Sequence, residues 1–222
     1  MKTTCLFGAL LISTIYGTHA QAAYTPANVS PTAVPAATQP QVVQRGANHR
    51  VWQWETYEAR LNGAVATHVH KYTELATGMH YQDANNRWVE AKDIIETYRG
   101  GAIARQGQYQ VIFANNLNTV GAIDLKTPGG KRLRSNILGL SYYDSSTGKS
   151  ALIAQIQDST GQLISPNQVL YPNAFAGVSA DVRYTYKYGI FEQDVILREQ
   201  PPSPETYGLN PDTDVTSLFR AS

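Results

Sequence analysis

Apolar residues recur at every second position along most of this chain, and glycine-bearing turns punctuate the runs. That period belongs to strands with one buried face, because successive side chains leave opposite faces of a sheet. Residues 51–57 alternate and place Trp52 and Trp54 on one face. Residues 78–81 and 87–90 flank the polar turn Asp83-Ala84-Asn85-Asn86 and read as a hairpin. Further strands are expected over residues 93–98, 108–114, 122–126, 132–143, 150–157, 180–187 and 191–198. Gly100-Gly101, Pro128-Gly129-Gly130, Ser146-Thr147-Gly148 and Ser159-Thr160-Gly161 supply the turns. In the clearest hairpin, Val182, Tyr184 and Tyr186 share one face, charges take the other, and Tyr188-Gly189-Ile190 returns the chain. No window of helical length carries an apolar stripe at i, i+3, i+4, i+7. The expected fold is therefore all-β, an antiparallel β-sandwich or irregular stacked sheets, over residues 50–208.

The amino terminus points to export. Lys2 precedes an uncharged, largely apolar run from Cys5 to Tyr16, and small residues suited to cleavage follow at Ala20 and Ala22. A run that short, with a cleavage site behind it, reads as a signal peptide over residues 1–22 and not as a membrane span. The expected location is periplasmic, cell-surface or extracellular. Cleavage removes Cys5, the sole cysteine, so the mature chain has no disulfide or thiol nucleophile and depends on packing. Its composition, 42% hydrophobic and 16% charged, suits a globular domain with a sizeable core. Residues 23–49, with Pro26, Pro31, Pro35 and Pro40, read as a linker, since proline at that density opposes a sheet ladder.

The carboxyl end departs from the pattern after Glu199. Pro201, Pro202 and Pro204 stop a strand, and beyond Gly208 only Val215, Leu218 and Phe219 offer apolar anchors. Residues 209–222 are expected to fray.

Several constellations could carry chemistry, and each has a plainer reading. His68 and His70 share a strand face, and with His80 they could surround a zinc ion. A lone His-x-His without an acidic partner at fixed spacing reads first as structural. Gly148-Lys149-Ser150 lacks the first glycine of a phosphate-binding loop, and Ser146 with Lys149 lacks the helix that a Ser-x-x-Lys pair works from. Asp181, Glu192, Asp194 and Glu199 could form an acid/base pair but are expected to pair with Arg183, Lys187 and Arg198 across the ladder. Asp83 with Asn85, and Asp212 with Asp214, offer alternate oxygens without the rest of a calcium loop. Lys131, Arg132 and Arg134 read as a solvated strand face, so no nucleic-acid partner is expected at a net charge of +1. Trp52, Trp54, Trp88, Tyr142, Tyr143, Tyr184, Tyr186 and Tyr188 read as strand and core residues before they read as a sugar platform. No catalytic residue, metal ligand or cofactor is expected.

The segment Tyr171-Pro172-Asn173-Ala174-Phe175, with residues 180–186, Gly189 and residues 191–197, resembles a hairpin of bacterial Rhs or YD-repeat secreted proteins. Residues 72–81 and 87–90, Lys131-Arg132-Leu133-Arg134-Ser135 and Gln157-Asp158-Ser159-Thr160-Gly161 are similar to the same amino-terminal modules. The resemblance spans about Tyr72 to Gly208. It implies a non-catalytic module of a larger exported or surface protein, whose activity resides at a distant carboxyl end. No YD repeat stands in these residues, so that activity is not transferred to them. The leading expectation is an exported, non-enzymatic binding or scaffolding module; its partner would be the rest of a larger polypeptide or a cell-surface glycan. The alternatives are a glycan-binding module with an aromatic face, or a small exported hydrolase, metal-dependent through His68 and His70 or using an acidic pair. Amino-terminal sequencing of exported protein should begin at Gln21 or Ala23, and a chain retaining Met1 or Lys2 would refute export.

Overall fold

The structure, a computed structural model, describes residues 33–221. The expected signal peptide and the first part of the expected linker lie outside the described residues. Strands β1 (Gln41–Gly46), β2 (His49–Ala59) and β3 (Val65–Leu75) form a three-stranded ribbon, and β4 (His80–Gln82) and β5 (Trp88–Glu90) a short hairpin. Next come β6 (Glu96–Tyr98), β7 (Gly101–Ala104), β8 (Gln110–Ala114), β9 (Ile123–Lys126), β10 (Arg132–Asp144) and β11 (Lys149–Gln155), which belong to a seven-stranded sheet. A four-stranded sheet follows in simple succession: β12 (Gln162–Ser165), β13 (Gln168–Tyr171), β14 (Ala180–Lys187) and β15 (Ile190–Leu197). After one 3-10 turn at Pro204–Tyr207, β16 (Asp214–Ala221) rejoins the seven-stranded sheet. The fold is all-β and its ladders are antiparallel, as the alternation and the turns require. No helix among the described residues is long and apolar enough to cross a membrane.

The core lies between the seven-stranded and four-stranded sheets. Val111, Phe113, Ile123, Ile137 and Leu140 from one meet Val169, Tyr171, Val182, Tyr184 and Tyr186 from the other. Phe113 contacts the rings of Tyr184 and Phe191 at centroid distances of 5.8 and 6.0 Å, within the range of favourable tilted packing. Burial pushes the phenol pKa of Tyr171 and Tyr184 upward, and that of Tyr186 to about 12. The phenols therefore act as hydrogen-bond donors: Tyr171 Oη donates to the Ala114 carbonyl at 2.6 Å and Tyr186 Oη to the Tyr109 carbonyl at 2.8 Å. The first bond reaches the last residue of β8 and the second the loop that leads into β8, so both tie the four-stranded sheet to the other.

Strand β10 is the spine of the larger sheet. Ser135 pairs with both Ile123 and Ala221, and Gly139 with both Gln155 and Leu218. Thus β16 covers one edge of β10, while β9 and β11 succeed each other along the opposite edge. A side chain at Gly139 would overlap the Ala154 carbonyl, so glycine lets β11 approach there.

Two expected boundaries are corrected. The linker over residues 23–49 ends at Pro40, because β1 pairs with β2 from Gln41 onward. Proline is tolerated at the entrance to a strand, and no proline stands within β1, β2 or β3. The tail expected to fray over residues 209–222 is ordered over its described residues, 209–221: Leu209 is buried, and β16 pairs with β10 from Asp214 to Ala221. Its apolar side chains stay largely exposed, Phe219 at 63%. What orders it is the backbone ladder on an otherwise open edge of β10, a gain that counting apolar anchors does not register. Deleting residues 209–222 should lower the melting temperature by more than about 4 °C, the shift that about 1 kcal/mol produces in a domain of this size. An unchanged melting temperature would mean that β16 adds nothing.

Candidate functional site

The expected chemical constellations are dispersed or occupied by structural bonds. His68 Nε2 lies 3.2 Å from Glu58, His70 Nε2 lies 2.7 Å from the Thr56 hydroxyl, and buried His80 bonds through Nδ1 to the Gly46 carbonyl at 2.9 Å. Among the described residues no group of three or more His, Cys, Asp or Glu is placed to hold a metal ion. Ser146 donates its hydroxyl to Asp144 at 2.6 Å, and Thr147 does so at 2.8 Å, so Asp144 organises the β10–β11 turn and pairs Ser146 with itself and not with Lys149. These bonds hold the Asp144 carboxyl below its usual pKa. Asp83 accepts from Arg87 and from the Asn85 and Arg87 amides, which makes it a turn-former.

Two of the four carboxylates expected to pair across the ladder do so: Arg183 binds Asp194 at 2.9 Å, and Arg198 binds Asp181. Asp181 is nevertheless buried at 2% exposure, so β14 is covered on both faces, contrary to the expected charged solvent face. Glu199 accepts from the Ser179 amide. Arg132 and Arg134 converge on Asp124 at 2.7 and 3.1 Å.

Two surfaces remain open. The first is the ribbon β1–β3, whose strands carry no apolar residue of the buried core. On one face Trp52 stacks on Tyr72 (6.1 Å, 14°) and Trp54 on His70 (5.0 Å, 16°), so the two tryptophans assigned to strand packing build an external aromatic ladder. Arg50 lies 4.9 Å over the Trp52 ring, and Glu74 accepts from both Arg50 and the Trp52 indole. The ribbon joins the body through short polar bonds: Gln108 Nε2 donates to the Ala47 and His80 carbonyls, and the Gly78 amide to Asn48 Oδ1. Arg60 N bonds the Ala64 carbonyl and Ala76 N the Asn48 carbonyl, in unbroken register with β2. Even-numbered residues of β3 therefore aim their backbone at β2. Val65, Thr67, Val69, Lys71, Thr73 and Leu75 aim theirs outward.

The second surface is a groove of about 280 Å³ between the β4–β5 hairpin and the β8–β9 edge, lined by Tyr81, Gln82, Asn86, Trp88, Gln110 and Lys126 among others. Sequence reading missed it, since its residues come from segments far apart in the chain. A tryptophan and clustered amides on turn-proximal strands were the available signal.

Replacing Asp124 tests the electrostatics. Its carboxyl is held below its ordinary value, first by the hydrogen bond from Arg132 and then by Arg134. A depressed folded-state pKa adds stability that is complete above the ordinary carboxylate value of about 3.9 and is lost as pH falls through the folded value. Asp124→Asn should be about 1 kcal/mol less stable at pH 7, with the gap narrowing below about pH 4. Melting curves showing a constant gap down to pH 2 would refute the role.

A scan against protein-family models finds no match, and searches of curated proteins and of solved structures return no similar protein.

Proposed function

We propose that this chain is a non-enzymatic binding and scaffolding module of a larger exported protein, and that its docking element is the ribbon β1–β3. The observation that carries this reading is the outer edge of β3, with which no strand among the described residues pairs. Eleven residues long, it turns six residues' backbone groups outward. An extended partner segment adds to such an edge through main-chain hydrogen bonds, with side-chain contacts supplying selectivity. Exposed edges are usually blunted by proline, bulges or inward charges. β3 has an unbroken register with β2 and no proline, and it exposes Val69 at 54% and Leu75 at 76%. The resemblance to amino-terminal modules of Rhs or YD-repeat proteins agrees with this role, the partner being an extended segment of the same larger polypeptide.

A photoreactive benzoylphenylalanine at Thr67 tests the reading in the exported protein of the native host. One dominant cross-linked polypeptide segment is expected, absent when the probe stands at Ser145 on the body. The cross-link should disappear in Thr73→Pro, which removes an outward N–H and spares the donors to β2. No cross-link from Thr67, or the same product from Ser145, would overturn the proposal.

A further inference from the structure

The groove beside the ribbon has a chemistry of its own, independent of the docking edge. Its hairpin wall comes from β4 and β5, where Gln82 pairs directly with Trp88, and from the turn that ends at Asn86, whose φ of 58° lies in the left-handed region. The opposite wall is the end of the sheet where β8 begins and β9 finishes, with Gln110 paired directly with Lys126. Gln108 holds the two walls together through the bonds to Ala47 and His80 that also anchor the ribbon, so the walls are fixed before any ligand arrives.

The lining sorts into committed and uncommitted groups. Asp83 is committed to Arg87 at 2.7 Å, and on the adjoining rim Arg105 is committed to Glu96 at 2.6 Å. The side chains of Gln82, Asn86 and Trp88 make no hydrogen bond to the described residues, and Lys126 has no carboxylate partner among them. The groove thus offers an indole, two amides that both donate and accept, and a single cation without a counter-ion.

We propose that this groove binds a glycan segment bearing a carboxylated sugar, a uronic acid residue. Sugar rings present an apolar C–H face that packs on an indole and a rim of hydroxyls that need donors and acceptors together. Trp88 supplies the flat apolar area, and Gln82 and Asn86 supply amides of both polarities, while Gln110 donates to the Arg105 carbonyl at 3.4 Å and keeps its amide oxygen as an acceptor. A purely apolar ligand would leave those amides unpaired on burial, which is unfavourable. The carboxylate is assigned from Lys126: the ammonium pairs with an anion through a charge-assisted hydrogen bond, whereas the acidic side chains of the lining and rim are already matched by arginines. The volume lies just below the usual range of about 300–1,000 Å³ for small-molecule sites, which suits one or two sugar rings lying in an open groove.

Isothermal titration of the mature chain with trigalacturonate, and with maltotriose as a neutral sugar of the same length, separates the parts of the proposal. Trigalacturonate should bind at least tenfold more tightly than maltotriose. Lys126→Met, a change at an exposed side chain, should abolish that preference, and Gln82→Ala and Trp88→Ala should each weaken trigalacturonate binding at least tenfold. Gln82 is also exposed, so it keeps the test informative should Trp88→Ala fail to fold. Absence of trigalacturonate binding by the wild type would overturn the site. Equal affinity for maltotriose, or an unchanged preference in Lys126→Met, would overturn the carboxylate assignment. Binding that survives both Gln82→Ala and a folded Trp88→Ala would show adsorption of a polyanion elsewhere. None of these readouts depends on the β3 edge, so either surface can fail without the other.

Discussion

Two tyrosine hydroxyls hold this fold in one arrangement. Hydrophobic burial presses the two large sheets together without direction, and an apolar interface alone tolerates sliding. Tyr171 and Tyr186 remove that freedom, because each buried phenol must find an acceptor: Tyr171 finds the Ala114 carbonyl of β8, and Tyr186 the Tyr109 carbonyl in the loop that leads into β8. The surrounding sequence accommodates them. A side chain at Gly107 would overlap the Tyr186 hydroxyl, and one at Gly161 would crowd the Tyr171 ring. With the sheets locked, the position of Gly107-Gln108 is set, and Gln108 in turn fixes the hairpin wall of the groove and the root of the ribbon.

The ribbon follows a different physical logic. Its long register with β2 and its aromatic ladder replace the core it lacks, and cross-strand ring pairs each contribute a few tenths of a kcal/mol to about 1 kcal/mol. An isolated hairpin is marginal in water, so a ribbon of three strands tied to a packed body at one end is a stable way to present an open edge. The same body carries the groove at the ribbon's root, which places a surface suited to main-chain pairing beside one suited to hydroxyl-rich ligands.

The strand pattern was legible wherever a strand has one buried face. Residues 180–187 match β14, and the β10 and β15 boundaries fall within a residue of expectation, since alternation and glycine turns are local signals. β12, β13 and β1 went unread because each is short: four to six residues give too few alternating positions to stand out, even in β13, where Val169 and Tyr171 form a buried face. The aromatics expected in strand and core packing divide between the two: Tyr184 and Tyr186 are core, whereas Trp52 and Trp54 are half-buried and stack on Tyr72 and His70 across the ribbon. Period two places residues on a common face and carries no information about which face another sheet will cover.

By itself the sequence determined the all-β class, the hairpin turns and that carboxylates and arginines meet across the β14–β15 ladder, because dihedral preference, side-chain alternation and opposite charge act between near neighbours in the chain. Only the tertiary structure decided that β16 returns to β10, that Asp181 is buried beneath Arg198, and that Gln82, Trp88 and Lys126 share a groove. Those outcomes depend on which backbone edge is left open and which faces meet once the sheets have stacked. They are properties of pairing between distant segments, and residue spacing does not encode them locally.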